Sequence, residues 1–114
     1  MFRRVSKVLV AVSGGADSIA TLLVMLGLRE RFGFEVEAVH FDHKLRPESV
    51  AEMDAVRALC KELGVECVTG EGDVAGVAAR QRRGIEETAR MMRYQFMAFV
   101  AEKERADCVV TGHT

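Results

Sequence analysis

The sequence predicts an α/β fold in which a doubly wound parallel sheet is covered by helices on both faces. Short apolar stretches with strand character alternate with longer stretches in which apolar residues recur every three or four positions. Such alternation is typical of βαβ units, whose parallel strands are buried beneath helices. The 114 residues, of which 49 % are apolar, suffice for one small domain, and we expect no second domain in this chain.

The first predicted strand covers Lys7 to Val12, and a helix follows from Asp17 to about Arg31. A glycine pair lies between them. It lets the backbone amides of a strand-to-helix turn point into one concavity, and the helix N terminus adds partial positive charge. The sequence therefore predicts a phosphate-binding loop, called the phosphate loop below: Ser13, Gly14, Gly15, Ala16, Asp17 and Ser18. The alternative is a tight turn with Asp17 as the helix N-cap.

The second strand is predicted over Glu35 to Phe41, and the second helix runs from Pro47 to Leu63. Proline is favoured at the first helical position, and Gly64 is typical of the residue just past a helix end. The apolar residues of this helix are spaced for one face, and they are Val50, Met53, Val56, Leu59 and Leu63.

A third strand is predicted from Val65 to Thr69, and a short helix from Val74 to Ala79. The next helix follows from apolar spacing at Ile85, Ala89, Met92, Phe96, Phe99 and Val100. Asp107 to Thr111 supplies the fourth strand. Ligands of open α/β sheets bind at the carboxyl ends of the strands, and the chain stops there, so we expect a sheet truncated after about four strands.

Composition favours a cytoplasmic protein that has no membrane partner. The net charge is −1, and no apolar run approaches the roughly 18 residues of a membrane span. The first residues also lack the apolar region and cleavage site of a signal peptide. Three cysteines without a C-x-x-C pair predict small reduced core residues rather than disulfides or a zinc site: Cys60, Cys67 and Cys108.

Four ordered motifs carry a resemblance to a known family. The phosphate loop resembles the PP-loop of the N-type ATP pyrophosphatases, which cleave ATP between the α and β phosphates. His40 to Ser49 is similar to the H-x-D-H-x-L-R-x-x-S element of tRNA(Ile)-lysidine synthetases, and Gly84 to Tyr94 to their G-x-x-E-x-x-A-R-x-x-R-Y helix. Val110 to Thr114 resembles the start of their A-T-G-H-x-x-D-D-Q-x-E-T segment, whose acidic half is absent.

The resemblance implies a Rossmann-like fold of the adenine nucleotide alpha hydrolase type, with residues 1–114 as the N-terminal portion of a PP-loop ATP-binding domain. It also implies a two-step ligase reaction. The O2 of cytidine-34 in an isoleucine tRNA with a CAU anticodon attacks the α-phosphate of ATP and releases pyrophosphate. The amino group of free L-lysine then displaces AMP at C2 and gives lysidine. We expect the 114 residues to bind ATP but not to catalyse alone, since tRNA contacts belong mainly to other regions.

The same resemblance implies roles for individual residues. Asp17 is expected to hold Mg²⁺ with ATP, and Arg93 and His113 are expected to act with it in adenylation. Further substrate or phosphate contacts are expected at four positions: His40, His43, Arg46 and Arg90.

Spacing alone leaves other interpretations of these residues open. Arg90 and Arg93 share a helix with Glu86 and Glu87, which is also typical of a solvated face. His40 and His43 flank an aspartate, but no third zinc ligand is evident. The five arginines between residues 80 and 93, against two glutamates, suit some RNA phosphate contacts but no base recognition.

Three other functions and one assembly also fit the sequence. A tRNA thiolation enzyme with a PP-loop is a close relative, although those that form 2-thiocytidine carry C-x-x-C pairs, which this chain lacks. The chain could instead be a non-catalytic nucleotide-binding module or a purely structural α/β domain. The fourth strand presents an unpaired edge that can join a second copy, so a homodimer is among the expected partners.

Overall fold

Within residues 6–112, which the computed structural model describes, strands and helices alternate as the sequence predicts. The strands are β1 Lys7–Ala11, β2 Glu35–Asp42, β3 Cys67–Glu71 and β4 Cys108–Thr111. The helices are α1 Ala16–Phe32, α2 Ser49–Leu63, α3 Val74–Gln81 and α4 Ile85–Glu104.

The described strands form one parallel sheet in the order β3-β2-β1-β4. The chain moves outward from β1 to β3 and then returns to the other side of β1 for β4. Helices α1 and α2 pack on one face, and α4 packs on the other. The prediction of a doubly wound parallel sheet is confirmed, and the reversal of strand order places the expected ligand site between the ends of β1 and β4.

Two apolar clusters fill the space between the sheet and its helices. Alternate residues of β1 point to opposite faces: Val8 and Val10 pack with Leu22 of α1, whereas Leu9 packs with Met97 and neighbouring residues of α4. Both faces of the strand are therefore buried, which explains its continuous apolar run.

Two element starts differ from the sequence prediction by two residues, and those of α1 and β4 differ by one. Helix α2 begins at Ser49 rather than Pro47, because the Ser49 amide donates to the Arg46 carbonyl at 3.1 Å and Pro47 lies in that turn. Strand β3 begins at Cys67 rather than Val65. The Val65 amide donates to the Cys60 carbonyl at 2.8 Å and so closes the end of α2 instead of joining the sheet. Gly64 follows α2 with φ +71°, as the sequence predicts.

The prediction that Val50 belongs to the buried face of α2 is wrong. Val50 is 62 % exposed, whereas the buried residues of this helix are Ser49, Met53, Val56 and Cys60. The buried face therefore passes through Ser49 in the first turn. Cys108 is also exposed, contrary to the prediction of a core residue, because it begins the outer strand β4.

A charged network lies at the amino-terminal edge of the sheet, opposite the carboxyl ends of the strands. Glu37 is 7 % exposed, and its carboxylate lies 3.0 Å from the Lys7 ammonium. Its neighbours include Glu104 and Glu66, whose carboxylate oxygens lie with those of Glu37 within 4.8 Å of one another. Burial raises the pKa of Glu37, the bond from Lys7 lowers it, and Glu104 raises it further, with a net upward shift.

We expect Glu37 to make folding less favourable as the pH rises. Its folded pKa is raised, so the folded state keeps the proton to higher pH than the unfolded chain does. The associated stability is present below about pH 4.5 and is lost as the pH rises through the raised pKa. Glu37→Gln stays neutral, so urea unfolding from pH 4.5 to 8 should show this decline in the wild type and not in the variant. Parallel pH profiles would contradict the assignment.

Among the helices of residues 6–112, none combines the length and apolar character needed to cross a lipid bilayer.

Candidate nucleotide-binding site

The phosphate loop connects β1 to α1 and is held by the Ser18 hydroxyl. The buried Ser18 Oγ lies 3.0 Å from the carbonyl oxygens of both Ser13 and Gly15, and it accepts a bond from the Ser13 amide at 3.0 Å. The Gly15 amide donates to Ser13 Oγ at 3.2 Å. These bonds connect the two ends of the turn and restrain its shape.

Helix α1 begins directly behind this loop. Gly15 is its N-cap with extended backbone, and the first intrahelical bond runs from the Ile19 amide to the Gly15 carbonyl at 3.3 Å. The amides of residues 16–18 precede that bond and belong to the positive end of the helix. Asp17 lies in the first turn rather than at the N-cap, so the alternative of an Asp17 cap is wrong.

A cavity of about 350 Å³ opens where β1, β2 and β4 end. The phosphate loop forms one wall through Ser13 and residues 15–18, and Thr111 and Gly112 close it beside β4. The end of β2 and the start of α2 form the opposite wall, and α4 contributes Arg93 and Met97. The strand termini thus converge on one pocket, at the switch point where open α/β sheets bind ligands.

Gly112 allows β4 to end close against α1. A Cβ at this position would lie 2.9 Å from the Asp17 carbonyl oxygen, from Ser18 Cα and from Thr21 Oγ1. Two of these atoms are backbone and cannot turn away. The absence of a side chain at Gly112 therefore sets the distance between β4 and the phosphate loop.

The end of β2 brings two polar side chains into the cavity wall. The Nδ1 of the buried His40 lies 2.6 Å from the Val12 carbonyl, which can only accept, so Nδ1 carries the proton. In the neutral ring, Nε2 is then an acceptor. Asp42 is 3 % exposed and accepts a bond from the Lys44 amide at 2.8 Å, while Lys44 adopts φ +55°. This turn folds the chain back, and His43 also lines the cavity.

The two arginines of α4 occupy different environments. Arg93 lines the cavity, and its guanidinium lies 5.7 Å from the Tyr94 ring centre. Arg90 is exposed and outside the cavity wall. Three residues advance a helix by about 300° and nearly one turn, so Arg90 lies about 60° around the helix and roughly 4.5 Å along it from Arg93.

The structure brings most of the predicted site residues to one cavity. Those that line it are Ser13, Gly15, Ala16, Asp17, Ser18, His40, His43 and Arg93. Gly14 faces the side chain of Glu52 instead, and Arg46 reaches the site only through an ion pair with that residue. His113 lies outside the described residues.

Sequence reasoning did not name as site residues four polar residues that line the cavity: Asp42, Ser49, Glu52 and Thr111. Asp42 lies between the two histidines of the H-x-D-H segment, so its position in that motif was the available signal. Ser49 ends the same segment and Thr111 belongs to the Val110 to Thr114 motif, so the motifs signalled both. Glu52 lies in no motif and was hidden because Val50 was predicted to face the core. The face of α2 that buries Ser49 also carries Glu52, one turn later.

The family model of the PP-loop domain matches residues 3–114 of this sequence. The chain belongs to the PP-loop domain family. The match covers every element that builds the cavity, from β1 to β4.

Several curated relatives of this PP-loop chain are named tRNA(Ile)-lysidine synthase. The one from Nitratidesulfovibrio vulgaris is 44 % identical over 104 residues, covering 91 % of this chain and 30 % of the relative. The one from Geobacillus kaustophilus is 42 % identical over 107 residues, covering 93 % of this chain and 23 % of the relative. The chain therefore spans less than a third of the length of these proteins.

A solved structure shares the fold. The U34-tRNA thiolase NcsA from Methanococcus maripaludis, determined with its [4Fe-4S] cluster, matches with a TM-score of 0.80 and 20 % identity. The match covers 96 % of this chain and 38 % of the thiolase. At this identity the comparison establishes the architecture of the PP-loop domain and no more.

Proposed function

We propose that this chain is the ATP-binding part of a tRNA(Ile)-lysidine synthase, an ATP-dependent tRNA-modifying ligase. The observation that carries the proposal is the cavity in which the phosphate loop, the H-x-D-H segment and Arg93 meet. Each of the three comes from a different motif of the family resemblance. Relatives with the same name are 36–44 % identical over more than nine-tenths of the chain.

The phosphate loop is suited to the β and γ phosphates of ATP. Backbone amides at the start of α1 and the helix dipole favour negative charge there. Because Ser18 already holds the loop in shape, little ordering has to accompany binding. The pyrophosphate that leaves on attack at the α-phosphate would remain in this loop until it dissociates.

Asp17 is the residue that we assign to Mg²⁺. Its exposed side chain lines the cavity in the first turn of α1, beside the amides at the start of that helix. Carboxylate oxygens are the ligands that Mg²⁺ prefers, so the donor fits the ion. When bound, the ion neutralises charge on the phosphate oxygens.

Arg93 is the residue that we assign to the α-phosphate during adenylation. Its side chain reaches the cavity from α4, on the face of the sheet opposite α1. A planar guanidinium can donate two parallel hydrogen bonds to phosphate oxygens. It would thereby stabilise charge that develops as the O2 of cytidine-34 attacks. L-Lysine would then displace AMP, and its amino group would form the bond to C2.

The thiolation alternative finds no support in the cysteines. Burial raises the pKa of the Cys67 thiol to about 12, and burial also raises the pKa of Cys60. Thiols that resist ionisation are poor nucleophiles. None of the three cysteines, which all lie within residues 6–112, lines the cavity. Cys108 is exposed at the other end of β4.

The test of the proposed function has two measurements. Calorimetry should show that residues 1–114 bind Mg·ATP more tightly than Mg·GTP. The protein translated from the whole gene should then release AMP and pyrophosphate when given ATP, L-lysine and an isoleucine tRNA transcript with a CAU anticodon. Lysidine in the digested tRNA would establish the reaction. ATP binding without product in the whole protein would favour a non-catalytic nucleotide-binding module, and sulfur in the tRNA when sulfide replaces L-lysine would favour the thiolase.

A further inference from the structure

We propose that an ion pair between Arg46 and Glu52 sets the charge at the phosphate loop, so that an RNA phosphate bound by Arg46 weakens polyphosphate binding. Neither residue acts on the reacting atoms. Glu52 positions Arg46, and the positive charge of Arg46 offsets the negative charge of Glu52. The RNA part of the inference rests on the proposed function, whereas the charge at the loop follows from contacts within the chain.

The Glu52 carboxyl group lies against the phosphate loop. A Cβ added at Gly14 would be 3.4 Å from Glu52 Cγ and 3.6 Å from its Cδ. Glu52 also lines the cavity and is about two-thirds buried. A negative charge in this position opposes any polyphosphate that binds the loop, and partial burial limits screening by solvent.

Arg46 compensates this charge. Its Nη2 lies 2.8 Å from Glu52 Oε1, and the turn from the Arg46 carbonyl to the Ser49 amide brings the two residues together. The Arg46 side chain is 57 % exposed, so the guanidinium is open to a second anion beside Glu52. Ion pairs this exposed are individually weak and can exchange partners.

A phosphate diester of RNA is a suitable competitor for Arg46. Guanidinium groups bind phosphate oxygens with two parallel bonds, and a polyanion attracts Arg46 more strongly than one carboxylate does. Once Arg46 turns to RNA, the Glu52 charge is exposed at the loop and favours departure of pyrophosphate. Because coupling between sites is reciprocal, polyphosphate in the loop would weaken RNA binding at Arg46 by the same factor.

A double-mutant cycle tests the charge at the loop. We expect Arg46→Ala to lower affinity for Mg·ATP and for pyrophosphate by about tenfold, the ratio that corresponds to 1.4 kcal/mol. Adding Glu52→Gln should restore affinity to within about threefold of the wild type, because the unmasked charge is then gone. Raising the salt from 0.05 to 0.5 M should shrink the loss.

Lys61→Ala is the matched control, because it removes one positive charge from the exposed last turn of the same helix. Its affinity for Mg·ATP should equal that of the wild type, and thermal denaturation should show all variants folded. The proposal fails if Arg46→Ala binds normally. It also fails if the double variant is as weak as Arg46→Ala, since Arg46 would then contact the phosphates directly.

An anticodon stem-loop RNA tests the coupling. Saturating RNA should weaken pyrophosphate binding several-fold in the wild type and leave the Arg46→Ala/Glu52→Gln variant unchanged. Equal effects on both proteins, or none on the wild type, would overturn the coupling. Lysidine formation tests the proposed function separately, because the double-mutant cycle measures only polyphosphate binding.

Discussion

Asp17→Ala is expected to lower Mg·ATP affinity by more than about tenfold while the protein remains folded. The carboxylate lines the cavity and is exposed, so its removal would cost the metal ligand that we propose but little packing. A negative charge in the first turn of a helix contributes only about 0.3–1 kcal/mol to stability. Calorimetry in Mg²⁺ would measure the affinity, and thermal denaturation would measure the fold.

A control variant distinguishes the loss of a proposed metal ligand from the loss of a negative charge. Asp54→Ala removes one exposed carboxylate from α2, outside the cavity, and should leave Mg·ATP affinity unchanged. With Mg²⁺ replaced by EDTA, Asp17→Ala should bind ATP no more weakly than the wild type, because the proposed benefit of Asp17 depends on the ion and its own charge opposes the phosphates. Retained affinity of Asp17→Ala in Mg²⁺ would remove Asp17 from this role.

The elements that sequence reasoning predicted well have strong local signals. Strand β1 is buried on both faces, and α1 follows it through a glycine pair, so strand, loop and helix are each marked by their own residues. Parallel strands bring their carboxyl ends to one edge, which is why motifs separated by more than twenty residues could be expected to meet there. Arg93 illustrates this, since α4 carries it into the same cavity as the phosphate loop.

The parts that were missed depend on tertiary contacts that spacing does not encode. Glu52 lies in no motif, and it lines the cavity because the buried face of α2 passes through Ser49, one turn before it. Apolar spacing favoured Val50 instead. Val65 is predicted in a strand, yet its amide donates to the Cys60 carbonyl and closes the end of α2.

The structural role of Gly112 is not apparent from the motif that contains it. Gly112 belongs to the same family segment as His113, and its lack of a side chain lets β4 approach α1 closely. The nearest atoms to a Cβ there are the Asp17 carbonyl oxygen, Ser18 Cα and Thr21 Oγ1, each at 2.9 Å. Any side chain would have to move β4 away from α1 and would widen the cavity between them.

Gly112→Ala is therefore expected to destabilise the protein by about 2–3 kcal/mol, in the range typical of overpacking. For a domain of this size, that corresponds to a decrease in Tm of roughly 10 °C. Gly27→Ala is the matched control, because a Cβ at this exposed α1 position meets no atom within 4 Å. Alanine there should raise stability by about 1 kcal/mol through helix propensity. Equal stability of Gly112→Ala and the wild type would contradict the close approach of β4 to α1, and with it the width of the cavity on which the nucleotide site depends.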